Sequence, residues 1–212
     1  KEIDALQQKH LAHNIKELQR IFTIAATANG PVHINIPMEE PLYGMTNTPI
    51  DFPVIPELKP RVPETNYKEL LSAWKSSKRK MILIGVAKPN AELATVLDTL
   101  LQDPSVVVFT EKTSNLSHPN AIGAIDCLMA PLELEQNGGE AELKPDLLLT
   151  LGGMIVSKKI KFFLRKHQAV NHFHIDQTRA NDTFYYLSQH IHAPAENILT
   201  ALTEISTTKS DY

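Results

Sequence analysis

Three short apolar runs, at 81–86 (MILIGV), 106–109 (VVVF) and 147–151 (LLLTL), constrain the fold of this chain more than any other feature. A strand with one wet face alternates apolar and polar residues, whereas a run apolar on both sides must be covered on both sides. Between the runs the apolar spacing changes to three and four. Tyr67, Leu70, Leu71 and Trp74 form one stripe, and Leu93, Val96, Leu97, Leu100 and Leu101 form another. A basic amphipathic segment runs from Ser157 to His167, a strand is predicted over 170–175, and a last stripe holds Ile198, Leu202 and Ile205. Three- and four-residue spacing is the period of a helix. Buried strands alternating with helices imply an α/β fold, a three-layer, Rossmann-like parallel sheet.

Upstream of residue 66 the pattern differs. Leu11, Ile15, Leu18, Phe22 and Ala25 predict a helix, and Asn29-Gly30 supplies its stop. Residues 30–37 (GPVHINIP) alternate, so a strand is predicted there. One helix and one strand cannot close a core. With Lys1 as the first residue, the sequence reads as a piece of a longer protein. Eight of the fourteen prolines fall between Pro31 and Pro63. Proline fixes φ and removes a donor, which predicts an extended, semi-rigid strap. The expected organisation is a helix–strand remnant of a preceding domain over 1–40, a proline-rich linker over 41–65, and the α/β domain over 66–212.

Composition excludes several classes of function. A net charge of −3 is wrong for a chain built to neutralise phosphates, so no nucleic-acid partner is expected. One cysteine, Cys127, excludes an internal disulfide framework and a multi-cysteine zinc site; it is read as packing. No apolar run reaches the roughly 18–20 residues of a membrane span, no signal segment is evident, and a cytoplasmic protein is expected.

In an open parallel sheet, ligands bind beyond the carboxyl ends of the strands. The best candidate is 151–159 (LGGMIVSKK), where a buried strand meets two glycines and Ser157 can cap a helix. Exposed amides and the helix dipole attract anions there. Lys158 and Lys159 at the first helical positions oppose the dipole, at a cost of about 0.3–1 kcal/mol each. A carboxylate or phosphate nearby would reverse that sign; the plainer reading is two solvated lysines. Ser157, Lys158 and Lys159 are the candidate substrate-binding residues. Glu111, Lys112, Thr113, Ser114 and Asn115 follow another strand and could form a second wall.

Other motifs are weaker. Asp176 follows the glycine pair at a distance that suits a ribose-binding acid, but G-x-G-x-x-G is absent and Asp176 could equally cap a turn. His172 with His174, and His190 with His192, could each chelate from one strand face. No carboxylate or cysteine recurs at ligand spacing, so histidines bonded to backbone are expected and no metal ligand is assigned. The basic run Lys75, Lys78, Arg79 and Lys80 reads as a helix end.

Two segments carry a family resemblance. Residues 30–44 (GPVHINIPMEEPLYG) resemble the strand that closes the pyrimidine-binding domain of thiamine-diphosphate enzymes, with the start of its linker. Residues 151–165 (LGGMIVSKKIKFFLR) resemble the central domain of one branch, the 2-succinyl-5-enolpyruvyl-6-hydroxy-3-cyclohexene-1-carboxylate synthases of menaquinone biosynthesis. The resemblance implies a parent with thiamine diphosphate and Mg2+ (or Mn2+), acting as a homo-oligomer, dimer or tetramer. That parent would decarboxylate 2-oxoglutarate and add the succinyl unit to isochorismate. It implies that Lys158 and Lys159 match a basic pair facing substrate carboxylates, the second position being commonly arginine. The activating glutamate belongs to the missing part of the first domain, and the GDG motif of the third is absent. No catalytic, cofactor or metal residue is therefore expected in this piece, which should be inert alone. The rivals are a central domain of the acetolactate synthase or pyruvate oxidase type, and a free-standing nucleotide-binding module without catalysis.

Overall fold

The computed structural model describes residues 2–28, 30–37, 44–45, 66–134 and 139–205. The chain divides into two compact units, Lys1–Arg61 and Val62–Tyr212.

In the first unit, helix α1 spans Glu2–Ala28. Residues 30–37 form no strand, contrary to the alternation of Val32, Ile34 and Ile36. A strand needs a neighbour to take its N–H and C=O groups. No described residue pairs with this segment in a sheet. Nearly all of the predicted linker lies outside the described residues.

The second unit begins with α2 (Lys68–Ser76), β1 (Lys80–Ile84), α3 (Ala91–Leu100) and β2 (Val106–Thr110). Helices α4 (Ile125–Leu134) and α5 (Gly139–Leu143) lead to β3 (Leu147–Leu151), then α6 (Lys158–Lys166). Strands β4 (Asn171–Ile175) and β5 (Gln189–Ile191) and helix α7 (Ala195–Thr203) follow. All five strands are parallel, in the order β2-β1-β3-β4-β5. The α/β parallel sheet is therefore the one the apolar runs predict.

Every residue of β1 and β3 is buried, as strands covered on both faces must be. On one face, Ile82, Ile84, Val108, Leu149 and Phe173 pack with Trp74, Leu97, Leu199 and Leu202 from α2, α3 and α7. On the other, Met81, Leu83, Phe109 and Leu148 meet Ile125 and Met129 of α4 and Ile160, Phe163 and Leu164 of α6. Truncating a ring such as Phe163 to alanine would cost about 3–5 kcal/mol.

Two sequence expectations fail here. Cys127 is exposed, not packed: Ile125 and Met129 claim the buried face of α4, and Cys127 lies between them on the wet one. Lys80 does not end a helix. It opens β1 fully buried, with its ammonium on the Ser105 hydroxyl, 3.7 Å from Asp103 and 5.6 Å from the centre of the Trp74 ring. Burial lowers its pKa.

The strand order reverses direction between β1 and β3. Chains leaving these two strands diverge, and the carboxyl ends of such a pair are where an open α/β sheet offers room for a ligand. At the sheet's two margins, β5 is three residues long, and β2 carries a single bridge from Phe109 to Ile122.

Candidate functional site

At the reversal point the segments after β1 and β3 are bonded to each other. The Gly85 N–H donates to the Leu151 carbonyl at 3.0 Å, Val86 N–H to Met154 O at 3.1 Å, and Gly153 N–H to Val86 O at 2.7 Å. Side chains would prevent this approach. A Cβ on Gly85 would lie 2.4 Å from the Gly153 oxygen, and Gly152 has φ +73°, which L side chains rarely adopt. The glycine pair is thus a device for bringing two backbones together.

The next step along the chain presents the amides of Val156 and Ser157 and the start of α6. Ser157 caps the helix, its hydroxyl accepting from Ile160 N–H at 3.2 Å and donating to Asp126. The carboxylate of Glu111, arriving from the end of β2, accepts from Val156 N–H at 2.8 Å and Ser157 N–H at 2.7 Å. Lys161 donates to Ile155 O at 3.1 Å, holding the same loop from inside the helix. The carboxylate that the lysine pair called for is therefore present within the chain. Glu111 and Asp126 meet the positive end of the helix and offset the cost of Lys158 and Lys159 there.

Of the three candidate residues, Ser157 is buried and its amide and hydroxyl are engaged by the protein. Lys158 is exposed and Lys159 half-buried at the carboxyl end of the sheet. The second wall is more constructional than its residue types suggest. Ser114 donates to Ile84 O at 2.6 Å and accepts from Glu111 N–H at 2.9 Å, and Asn115 (φ 50°) donates to Ala87 O at 2.8 Å. These bonds tie the ends of β1 and β2 together and aim Glu111 at α6.

The remaining motifs resolve separately. Asp176 caps a turn, accepting from Thr178 N–H at 2.7 Å, the Thr178 hydroxyl at 2.8 Å and Arg179 N–H at 2.9 Å. Burial opposes its charge, yet the Arg179 and Thr178 bonds hold its pKa below the ordinary value. His190 Nε2 lies 2.9 Å from the Asp176 carbonyl, the backbone partner expected of it. His172 and His174 instead share the Thr150 hydroxyl, at 2.9 and 2.8 Å.

No family profile matches the chain. Among curated proteins, the 2-succinyl-5-enolpyruvyl-6-hydroxy-3-cyclohexene-1-carboxylate synthase of Flavobacterium johnsoniae is 46% identical over 182 residues, 84% of this chain and 32% of that protein. The synthase of the same name from Christiangramia forsetii is 43% identical over 192 residues, 87% of this chain and 33% of that protein. That of Flavobacterium psychrophilum is 38% identical over 215 aligned residues, 98% of this chain and 38% of that protein. The chain belongs to this synthase family.

It spans about a third of the length of these relatives. A solved structure from Mycobacterium smegmatis, provisionally assigned as a thiamin diphosphate-dependent enzyme, overlaps 76% of the chain with a TM-score of 0.42 and 12% identity, too loosely to carry an argument. A synthase of this kind implies thiamine diphosphate and a divalent metal, but the described residues do not fit that group. Among them no three His, Cys, Asp or Glu side chains converge on a common point. No GDG sequence occurs anywhere in the chain. Among the described residues of this synthase segment no helix is long and apolar enough to cross a membrane.

The site residues that sequence reasoning missed are Glu111 as a helix cap, Asp126 and Lys161. Two lysines at the start of a helix were the available signal, because they demand acids from elsewhere in the fold.

Proposed function

We propose that residues 66–212 are the central domain of a 2-succinyl-5-enolpyruvyl-6-hydroxy-3-cyclohexene-1-carboxylate synthase, with 1–40 the end of its preceding pyrimidine-binding domain and 41–65 the linker between them. The observation that carries this reading is the 46% identity over 84% of the chain to a protein of that name. In the whole protein, a cytoplasmic homo-oligomer (dimer or tetramer), 2-oxoglutarate is decarboxylated and its succinyl unit is added to isochorismate. Thiamine diphosphate, with Mg2+ or Mn2+, supplies the carbanion chemistry when bound outside this segment.

The domain contributes structure and one charged wall. Glu111, Ser157 and the glycine pair set the position of the α6 N-terminus, and Lys158 presents an ammonium from it. Lys158, with Lys159 beside it, attracts and orients substrate carboxylates, so that charge complementarity and proximity assist a reaction whose bond-making atoms lie elsewhere. Lysine at 159 supplies a point charge rather than the planar two-pronged fit of arginine. The piece alone is inert.

The test is isochorismate-dependent loss of 2-oxoglutarate, with thiamine diphosphate and magnesium, in the full-length protein and in this 212-residue chain. Activity in the former alone supports the reading; activity in the chain itself, or none in the full-length protein, overturns it. Lys158→Ala in the full-length protein should raise the KM for a carboxylate substrate roughly ten- to a hundredfold, the worth of a charge-assisted hydrogen bond of about 1.5–3 kcal/mol. Cofactor affinity should not change.

A further inference from the structure

The sheet face beneath the β4–β5 connection is polar where the rest of the sheet is apolar. Thr150 of β3 and His172 and His174 of β4 are all buried there. The Thr150 oxygen lies 2.9 Å from His172 Nε2, 2.8 Å from His174 Nδ1 and 3.4 Å from the Phe173 carbonyl oxygen. His172 Nδ1 is buried without a protein hydrogen-bond partner, and the centre of its ring lies 5.5 and 5.2 Å from those of Phe184 and Tyr186.

Valence restricts what such a group can do. Thr150 has one hydrogen to give and two lone pairs. A buried N–H with no acceptor is the costlier orphan, so the proton of neutral His172 belongs on Nε2, where Thr150 accepts it. Thr150 then gives its hydrogen to the shorter contact, His174 Nδ1, which places the His174 proton on Nε2. The three groups read in one direction.

From this geometry we infer that Thr150, His172 and His174 form a directional hydrogen-bonded array in which His174 takes up a proton before His172 does. When His174 is protonated, its Nδ1–H donates to Thr150, and the Thr150 hydrogen turns to the Phe173 carbonyl at 3.4 Å. His172 keeps its Nε2–H bond throughout. Protonating His172 instead would put an N–H on the orphaned Nδ1 position. The surrounding charges agree with that order. His174 faces Asp176, which favours its cation, and His190, at 6.0 Å between rings, which opposes it. The His190 ring in turn lies 3.7 Å from that of His192, tilted by 45°. His172 faces His174, which opposes its cation, and Asp182 of the covering loop, which favours it. Burial is the largest influence on both imidazoles and lowers both pKa values. The device sits at the carboxyl end of β4, where Asp176 caps the turn, so the proton arrives beside the group that anchors the β4–β5 loop.

The test is ring-nitrogen NMR on the 15N-histidine-labelled chain. At neutral pH both imidazoles should be neutral with the proton on Nε2, and on mild acidification His174 should move towards the imidazolium position ahead of His172. Thr150→Val should shift His174 Nδ1 to the resonance of a nitrogen that accepts no hydrogen bond, and Thr150→Ser should restore it. A His172 proton on Nδ1, His172 titrating first, or an unmoved Nδ1 resonance in folded Thr150→Val would overturn this order. If Thr150→Val does not fold, the tautomers and titration order of the unsubstituted chain, with Thr150→Ser preserving both, decide the matter.

Discussion

A Cβ placed on Gly85 would stand 2.4 Å from the carbonyl oxygen of Gly153. Two glycines far apart in sequence are therefore one constraint in space. Either Gly85→Ala or Gly152→Ala should force the loops after β1 and β3 apart and lower stability by about 1–3 kcal/mol. Gly123→Ala, where the nearest approach is an ordinary 3.7 Å to the Thr110 hydroxyl, serves as the control. Urea unfolding of the three variants checks this; equal midpoints for all of them would refute it.

The carboxylate of Glu111 has two amides to satisfy. Glu111→Ala should leave Val156 and Ser157 N–H groups without their acceptor and cost about 1–3 kcal/mol. Glu111→Gln keeps an acceptor but loses the charge that faces the helix, and should cost less than alanine. Amide hydrogen exchange at 156 and 157 should accelerate in both variants beyond the average for the domain.

Acid should weaken the fold through the buried histidines. Burial lowers His172 from 6.5 to about 4, and His174 also lies below its ordinary value. Between those pH values the unfolded chain binds a proton that folded His172 refuses, so stability falls as pH falls. The loss is absent above 6.5 and complete near 4. At about 1.4 kcal/mol per pH unit, it amounts to roughly 3 kcal/mol for His172. Urea midpoints across this range should show the slope, and His172→Leu should flatten it.

Lys80 and Asp103 should respond asymmetrically. Asp103→Ala removes the carboxylate from a fully buried ammonium and should cost about 2–3 kcal/mol, less than a wholly buried pair because Asp103 keeps some solvent contact. Lys80→Met keeps the volume without the charge and should be close to neutral. A larger loss for Lys80→Met than for Asp103→Ala would contradict the account.

Much of the fold was legible because burial on both faces leaves a plain mark: 81–86, 106–109 and 147–151 are apolar at every position but Gly85 and Thr150. Where the mark was lost, a physical reason can be named. Pro131 interrupts the period of α4, which is why no helix is predicted around Cys127. Strand β5 is too short to show alternation. Residues 30–37 alternate, yet alternation cannot provide a neighbour. At the site, the glycine pair and the Ser157 cap were readable because they are local. Glu111 was visible only as a wall residue, because its bond to the α6 start spans 45 residues of sequence, a distance that no spacing rule covers. The His172–Thr150–His174 contact was hidden for the same reason: its middle member lies on a different strand.

The two margins of the sheet have a consequence for the behaviour of the chain in solution. Open β-edges recruit strands from other molecules. Here one margin ends in three residues, and the other is interrupted by the bridge to Ile122. Among the described residues, each margin offers a passing strand only a short foothold, which disfavours growth of the sheet beyond five strands.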